Sequence, residues 1–196
     1  MMNYQNKTLK LVGQETFEKL QKYVNLIEHH NKEYNLTGFS GDKLWEEGIY
    51  ESLVCLDFIT NNLKQNNFKL LDIGAGAGFP SIPYLIWKPG TQLTIAEPRK
   101  KRCEFLNEVA QNLNLNFEVF CSKVQQNKGS FDIITARAVG SLAMLLDITT
   151  NFKNSHLAFI KGPKVFDENK EVNHIFEIKK IKEFENKNIY ISFKKI

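Results

Sequence analysis

Apolar residues in the first third of the chain recur at helical spacing. Phe17, Leu20, Val24, Ile27 and Tyr34 form one stripe, which predicts a helix over residues 14–35. Leu36-Thr37-Gly38-Phe39-Ser40-Gly41 reads as a loop, and Asp42 as the N-cap of a second helix. Glu46 and Glu47 in its first turns suit the helix dipole. Trp45, Ile49, Leu53 and Leu56 give this helix an apolar face as far as Ile59, and the polar stretch 60–67 reads as loop. Residues 1–67 are thus expected to form an N-terminal helical cap rather than an independent domain.

From residue 68 the pattern changes. Phe68–Ile73, Gln92–Ala96, Phe117–Cys121, Phe131–Ala136 and His156–Ile160 are short apolar runs of the kind buried in parallel sheets. Helices are expected over Pro80–Trp87, over a stretch opened by Pro98 with Phe105, Leu106, Val109, Ala110 and Leu113 on one face, and over Ser141–Thr150. Strand and helix alternate with short connections, so the fold class is α/β, a doubly wound and mostly parallel Rossmann-like sheet. Phe176–Phe184 and Asn188–Phe193 read as strands around a turn at 185–187, a C-terminal β-hairpin lying on or near one edge.

Charge adds a direction. Of 196 residues, 26 are Lys or Arg and 22 Asp or Glu, a net +4. The sum is −1 over residues 1–69, +3 over 70–162 and +2 over 163–196, so the basic excess sits where it could face a polyanion. A Lys-rich surface kept soluble explains the same numbers. Only three of the basic residues are Arg, namely Arg99, Arg102 and Arg137, which points to positions where a planar fork matters. No apolar run is long enough to span a membrane, and the first residues lack a signal-peptide pattern. Cys55, Cys103 and Cys121 are scattered with no C-x-x-C, which argues against a disulfide framework and a zinc site, and for a cytoplasmic location. No metal is expected.

The strongest local signal is Asp72-Ile73-Gly74-Ala75-Gly76-Ala77-Gly78-Phe79-Pro80, after a strand and before a helix. Glycines there let the backbone approach a ligand. The pattern is G-x-G-x-G, neither a dinucleotide G-x-G-x-x-G nor a Walker A loop. It suits a nucleoside carrying a charged amino-acid tail, and S-adenosylmethionine fits. Glu97, at the end of the second strand, is placed to accept hydrogen bonds from both ribose hydroxyls.

Four segments together resemble the bacterial 16S ribosomal RNA guanine-N7 methyltransferases, the glucose-inhibited division protein B family or RNA methyltransferase G type. They are Asn35-Leu36-Thr37, Leu71–Pro83, Lys101-Arg102 with Phe105-Leu106, and Ala136-Arg137-Ala138 with Leu157–Gly162. The resemblance covers roughly residues 15–165. It implies a class I methyltransferase domain over 68–196 that binds S-adenosylmethionine, a 16S rRNA or small-ribosomal-subunit partner, and ligand contacts at Gly74, Phe79, Glu97, Val124, Gln125 and Arg137. Asp72, Gly76 and Gly78 join the expected cofactor site through the glycine loop. Three positions depart from the family pattern: Ser81 stands for a usual Gly, Glu97 for Asp and Gln125 for an acidic residue. In addition, Glu47-Gly48-Ile49-Tyr50-Glu51-Ser52 occupies the place of an R-H-h-h-D-S stretch.

The implied chemistry is undemanding. Guanine N7 has an in-plane lone pair and no proton to lose, so positioning and charge stabilisation suffice without a general base. Arg137 and Lys161, at strand ends where open α/β sheets bind ligands, are the expected catalytic pair. Arg99, Lys100, Lys101 and Arg102 begin a helix, where cations oppose the dipole, so phosphate contact is expected there and at Lys161. Phe79 and Tyr84 are the candidates for base stacking, with core packing as the other reading. A monomer is expected. The alternatives are a methyltransferase for a protein or small molecule, and a non-catalytic cofactor-sensing RNA-binding module.

Overall fold

The computed structural model describes residues 4–64, 67–184 and 187–196. Seven strands form one sheet: β1 (Lys69–Ile73), β2 (Gln92–Ala96), β3 (Glu118–Phe120), β4 (Ile133–Arg137), β5 (His156–Lys161), β6 (Glu177–Lys180) and β7 (Tyr190–Lys195). Their order is β3-β2-β1-β4-β5-β7-β6. β1 to β5 run parallel, and β7 enters antiparallel beside β5 with β6 outside it. The expected hairpin is therefore present at one edge, but its first strand ends at Lys180, short of the expected Phe184, and its second runs over Tyr190–Lys195, two residues later than the pattern suggested. Part of its expected turn, Glu185 and Asn186, lies outside the described residues.

Alternation along each strand divides the core. Leu70, Leu93, Ile95, Ile133, Ala158 and Ile160 face one layer, and Leu71, Ile73, Ile134, Ala136, Leu157 and Phe159 face the other. On the first face lie α2 (Gln14–Glu33), α4 (Glu51–Leu63), α5 (Ser81–Trp87) and α6 (Lys100–Leu113). On the second lie α7 (Leu142–Ile148) and α8 (Val165–Glu171). The N-terminal helices share one continuous core with the sheet: Phe17, Leu20, Tyr23, Val24 and Ile27 are buried together with Ala77, Phe79 and Ile82.

Several boundaries differ from the sequence reading. A helix over Tyr4–Val12 precedes α2, and α8 follows β5; neither was expected. α8 buries only Val165 and Asn169, which leaves no apolar stripe to see. The second expected helix starts at Gly41 after an extended Ser40, so Asp42 sits in the first turn and is not the cap. That helix also runs on to Leu63, because Thr60 turns inward and bonds the Tyr84 hydroxyl at 3.1 Å. Pro98 lies before α6 rather than at its first position. Cys103 on α6 and Cys121 just after β3 form a disulfide, against the expectation from their scatter. The β2–α6–β3 unit brings residues 18 apart to a Cα separation of 5.8 Å, within bridging range.

Between Gly41–Lys43 and α4 the chain forms a π-helix over Leu44–Tyr50, a wide turn often found at functional sites. The Glu51 N–H reaches back five residues to the Glu46 carbonyl. Gly48 is buried within it: a Cβ there would lie 2.8 Å from Leu44 Cδ1 and 2.9 Å from Phe79 Cζ. Gly48→Ala should therefore cost about 1–3 kcal/mol by overpacking and lower Tm by about 5 °C. An unchanged melting temperature by calorimetry would show that Phe79 yields freely.

Candidate functional site

The glycine turn leaves β1 at its carboxyl end. Gly74, Gly76 and Gly78 all have positive φ (68°, 61° and 102°), a region costly for other residues. A Cβ on Gly74 would come within 3.0 Å of Val139 Cγ2, and one on Gly78 would press into Ile82 and the Tyr23 hydroxyl. Three side chains pin the turn. The Gly76 N–H donates to Glu97 Oε2 at 3.1 Å, the Ser81 N–H donates to Asp72 Oδ2 at 3.3 Å, and the Tyr23 hydroxyl donates to the Ala77 carbonyl.

Beside this turn a cleft of about 450 Å³ opens between the ends of β1, β2 and β4. Gly74, Glu97, Arg99, Arg102, Val124 and Gln125, all anticipated, line it together. So do Lys123, Ala138, Val139, Met144 and Ile148, which the sequence reading missed. Met144 and Ile148 are four apart on α7, so helical spacing could have paired them, but only the fold turns them toward the cleft. A larger cleft, about 830 Å³, lies at the opposite end of the sheet around Lys69, Gln92, Asn116 and Glu118. It has no glycine turn and sits at the amino ends of β1 and β2, away from where open α/β sheets take ligands.

The smaller cleft fits S-adenosylmethionine. Its volume suits a small-molecule site. Glu97 is buried at the wall, and each of its oxygens accepts one N–H, from Gly76 and at 3.0 Å from Arg99. Each oxygen keeps a second acceptor direction, enough for a ribose diol. Val124, Val139, Met144 and Ile148 supply an apolar wall for a purine. Among the described residues no group of three His, Cys, Asp or Glu side chains is placed to hold a metal.

Other anticipated residues stand apart from the cleft. Asp72 lies beneath the turn, fully buried, with Oδ1 unpaired; burial pushes its pKa up to about 7 against the Ser81 hydrogen bonds and Arg137. Phe79 and Tyr84 are buried in the core, so neither ring offers a face to a base. Arg137 Nη1 donates to the Glu47 carbonyl at 2.7 Å and pairs with Glu51 at 3.4 Å, while its guanidinium lies 5.3 Å from the Phe79 ring centre. Lys161 Nζ is held by the Gly140 carbonyl at 2.6 Å and Glu168 at 2.7 Å. Both expected catalytic cations are thus occupied by the protein's own groups.

The basic run divides. Arg102 turns inward, 3.8 Å from Glu97 Oε2 and beside Gly76. The Lys101 ammonium leans on the Tyr34 ring. Arg99 and Lys100 are exposed, and among the described residues their one ion pair is a loose Lys100–Glu104 contact at 3.9 Å. Glu47 meets Lys187 at 3.0 Å, and Glu46 meets it at 2.9 Å.

A Rossmann-like sheet with a C-terminal antiparallel pair, a glycine turn and an acidic residue ending β2 define a class I S-adenosylmethionine-dependent methyltransferase. Solved methyltransferases share this architecture; the ribosomal protein L11 methylase of Lactobacillus delbrueckii subsp. bulgaricus aligns with a TM-score of 0.53 at 18% identity, over 72% of this chain and 76% of that one. The family model GidB, rRNA small subunit methyltransferase G, matches residues 16–192. The Ribosomal RNA small subunit methyltransferase G of Mesomycoplasma hyopneumoniae strain J is 51% identical over 92% of this chain and 93% of its own length. That of Mycoplasmopsis pulmonis is 44% identical over 99% and 87%. The chain belongs to the rRNA small subunit methyltransferase G family, S-adenosylmethionine-dependent enzymes that methylate 16S rRNA. The match favours the ribosomal RNA reading over a protein or small-molecule substrate.

The Asp72 carboxyl makes a pH prediction. Its folded pKa, about 7, lies above the ordinary 3.8, so the folded protein keeps a proton that the unfolded chain releases. Stability from this group is full below about pH 4 and is lost as pH rises toward 7 and beyond, by a few kcal/mol at most. Asp72→Asn should therefore leave the ligand-free protein more stable than wild type at pH 8, with the gap closing toward pH 4.5. Urea unfolding across that range measures it, and a gap independent of pH would refute the assignment.

Proposed function

We propose that this chain methylates N7 of a guanine in 16S rRNA as a cytoplasmic monomer, with residues 68–196 holding the cofactor and residues 1–67 capping the glycine turn. The observation that carries the site assignment is the buried Glu97 carboxylate, half-satisfied by Gly76 and Arg99, at the wall of the cleft beside Gly74. S-adenosylmethionine, when bound, supplies an electrophilic methyl group. Glu97 holds the ribose hydroxyls, Gly74 lets the backbone approach, and Val124 and Gln125 with Met144 and Ile148 enclose the purine.

The guanine needs orientation rather than deprotonation, since its N7 lone pair is already free. Arg137 serves as a positioning residue. It ties the end of β4 to the π-helix through Glu47 and Glu51 and backs the Phe79 ring under the glycine turn. Burial raises the pKa of the Glu51 carboxyl, and the facing Arg137 and Lys187 oppose that shift. Lys161 holds the Gly140 carbonyl, and so the loop after β4, in one place. Arg99 and Lys100 are the members of the basic run free to meet phosphate.

Transfer of labelled methyl from S-adenosylmethionine to unmethylated small subunits, with nuclease mapping of the product, tests the activity; label on protein or absent would overturn it. Glu97→Ala should weaken cofactor binding by one to two decades, the equivalent of about 1.5–3 kcal/mol for charge-assisted bonds. Calorimetry giving wild-type affinity would remove Glu97 from the site. Arg137→Lys should lower kcat at least tenfold with cofactor affinity little changed, because an ammonium cannot both donate to Glu47 and reach over the Phe79 ring as the guanidinium does. Full turnover in that variant would reduce Arg137 to packing. Neutralising Arg99 and Lys100 together should flatten the salt dependence of RNA binding by up to about two units. A wild-type slope would move the phosphate contact elsewhere.

A further inference from the structure

An enzyme that works on one base of a folded RNA needs a surface for the neighbouring bases, and aromatic rings are the usual one. Phe79 and Tyr84 are buried and cannot serve. Among the described residues Phe166 is the aromatic ring left exposed, at 46%. It stands in the first turn of α8, and its ring meets Tyr190 edge to face at 4.9 Å between centres.

Strand register gives this pair its setting. Tyr190 lies opposite Lys161, the last residue of β5, and opposite Lys180, the last residue of β6. Directly opposed residues share a sheet face. Lys161, Tyr190 and Lys180 therefore form one row across the carboxyl rim, at the end of the sheet where the cofactor cleft opens. Lys161 is committed to Gly140 and Glu168. Lys180 and Lys164, the residue just before α8, are exposed and make no ion pair among the described residues. Of the three acidic groups on α8, Asp167 is paired with Lys170 at 3.0 Å and Glu168 with Lys161, while Glu171 at the other end of the helix is exposed.

The platform is also fixed to the cofactor cleft. Glu168, two residues beyond Phe166, accepts the Leu142 N–H at 2.9 Å and so holds the start of α7. That helix carries Met144 and Ile148 into the cleft wall. A ring backed by a second ring and flanked by free lysines is the arrangement that binds single-stranded nucleic acid by stacking and phosphate contact.

We propose that Phe166, backed by Tyr190, is a stacking platform for an RNA base beside the target guanine, with Lys164 and Lys180 on the adjoining phosphates. This rests on the ribosomal RNA substrate proposed above. The test uses the full chain with Phe166→Ala, Phe166→Trp and the double Lys164→Ala/Lys180→Ala variant. Binding of a 16S rRNA transcript and methylation of unmethylated small subunits are measured across salt concentrations, with cofactor affinity by calorimetry. Phe166→Ala should weaken RNA binding and raise KM about tenfold, within the range for one stacked base. Its salt slope and cofactor affinity should match wild type, and Phe166→Trp should recover most of the loss. The lysine double variant should instead flatten the salt slope by one to two units. RNA binding within twofold of wild type for Phe166→Ala overturns the platform, as does a loss matched by equal loss of cofactor affinity or not recovered by Trp. If wild type methylates no RNA yet binds the transcript through Phe166, the function fails and the platform stands.

Discussion

The chain must pass from β1 into α5 within the seven residues 74–80, and the rest of the molecule is arranged around that turn. Three of those residues adopt positive φ. Its buried polar groups need partners, and these come from distant elements. Glu97 at the end of β2 accepts the Gly76 N–H, Asp72 accepts the Ser81 N–H, and Tyr23 on α2 donates to Ala77. The carboxylate expected on the cofactor ribose is therefore also an acceptor for the loop that borders the cofactor. The two Glu97 oxygens bond the turn and the Arg99 N–H at once.

The same constraint explains why the N-terminal helices cannot be an appendage. Phe79 leaves the turn pointing into the core, where Tyr23, Phe39 and Gly48 surround it and Arg137 lies over its ring. Gly48 is the point of closest approach, and any side chain there would collide with Phe79. Arg137 then joins the π-helix to β4 across 90 residues of sequence. On this helix Glu46 and Glu47 meet Lys187, just before β7, so a cation late in the sequence is tied to the N-terminal helices.

What could be read from the sequence follows from the range of the interactions involved. Strands β1, β2, β4 and β5 were legible because most of their residues are buried on both faces, which makes each a largely apolar run. The glycine turn was legible because positive φ demands glycine. The short α8 and the end of α4 were not, since their burial rests on Val165, Asn169 and Thr60 rather than on an apolar stripe. The Cys103–Cys121 bridge escaped because only the packing of α6 beside β3 brings its halves together. Along the cleft, Gly74 and Glu97 were legible from their places at strand ends and Val124 and Gln125 only through the family resemblance, whereas Met144 and Ile148 depend on which way α7 faces.

Two of the three arginines are drawn into pairing within the fold. Arg102 and Arg137 each sit against a carboxylate, Glu97 and Glu51, and each is mostly shielded from water. A planar, weakly hydrated cation suits such places better than an ammonium does. Lysine, a strongly hydrated point charge, is left at the surface, where Lys100, Lys164 and Lys180 are free to exchange counterions with a polyanion. Lysine contacts of this kind carry little sequence information. Stacking on the Phe166–Tyr190 pair proposed above is tolerant of base identity as well, so selection of the target base falls to the shape of the cleft and its rim.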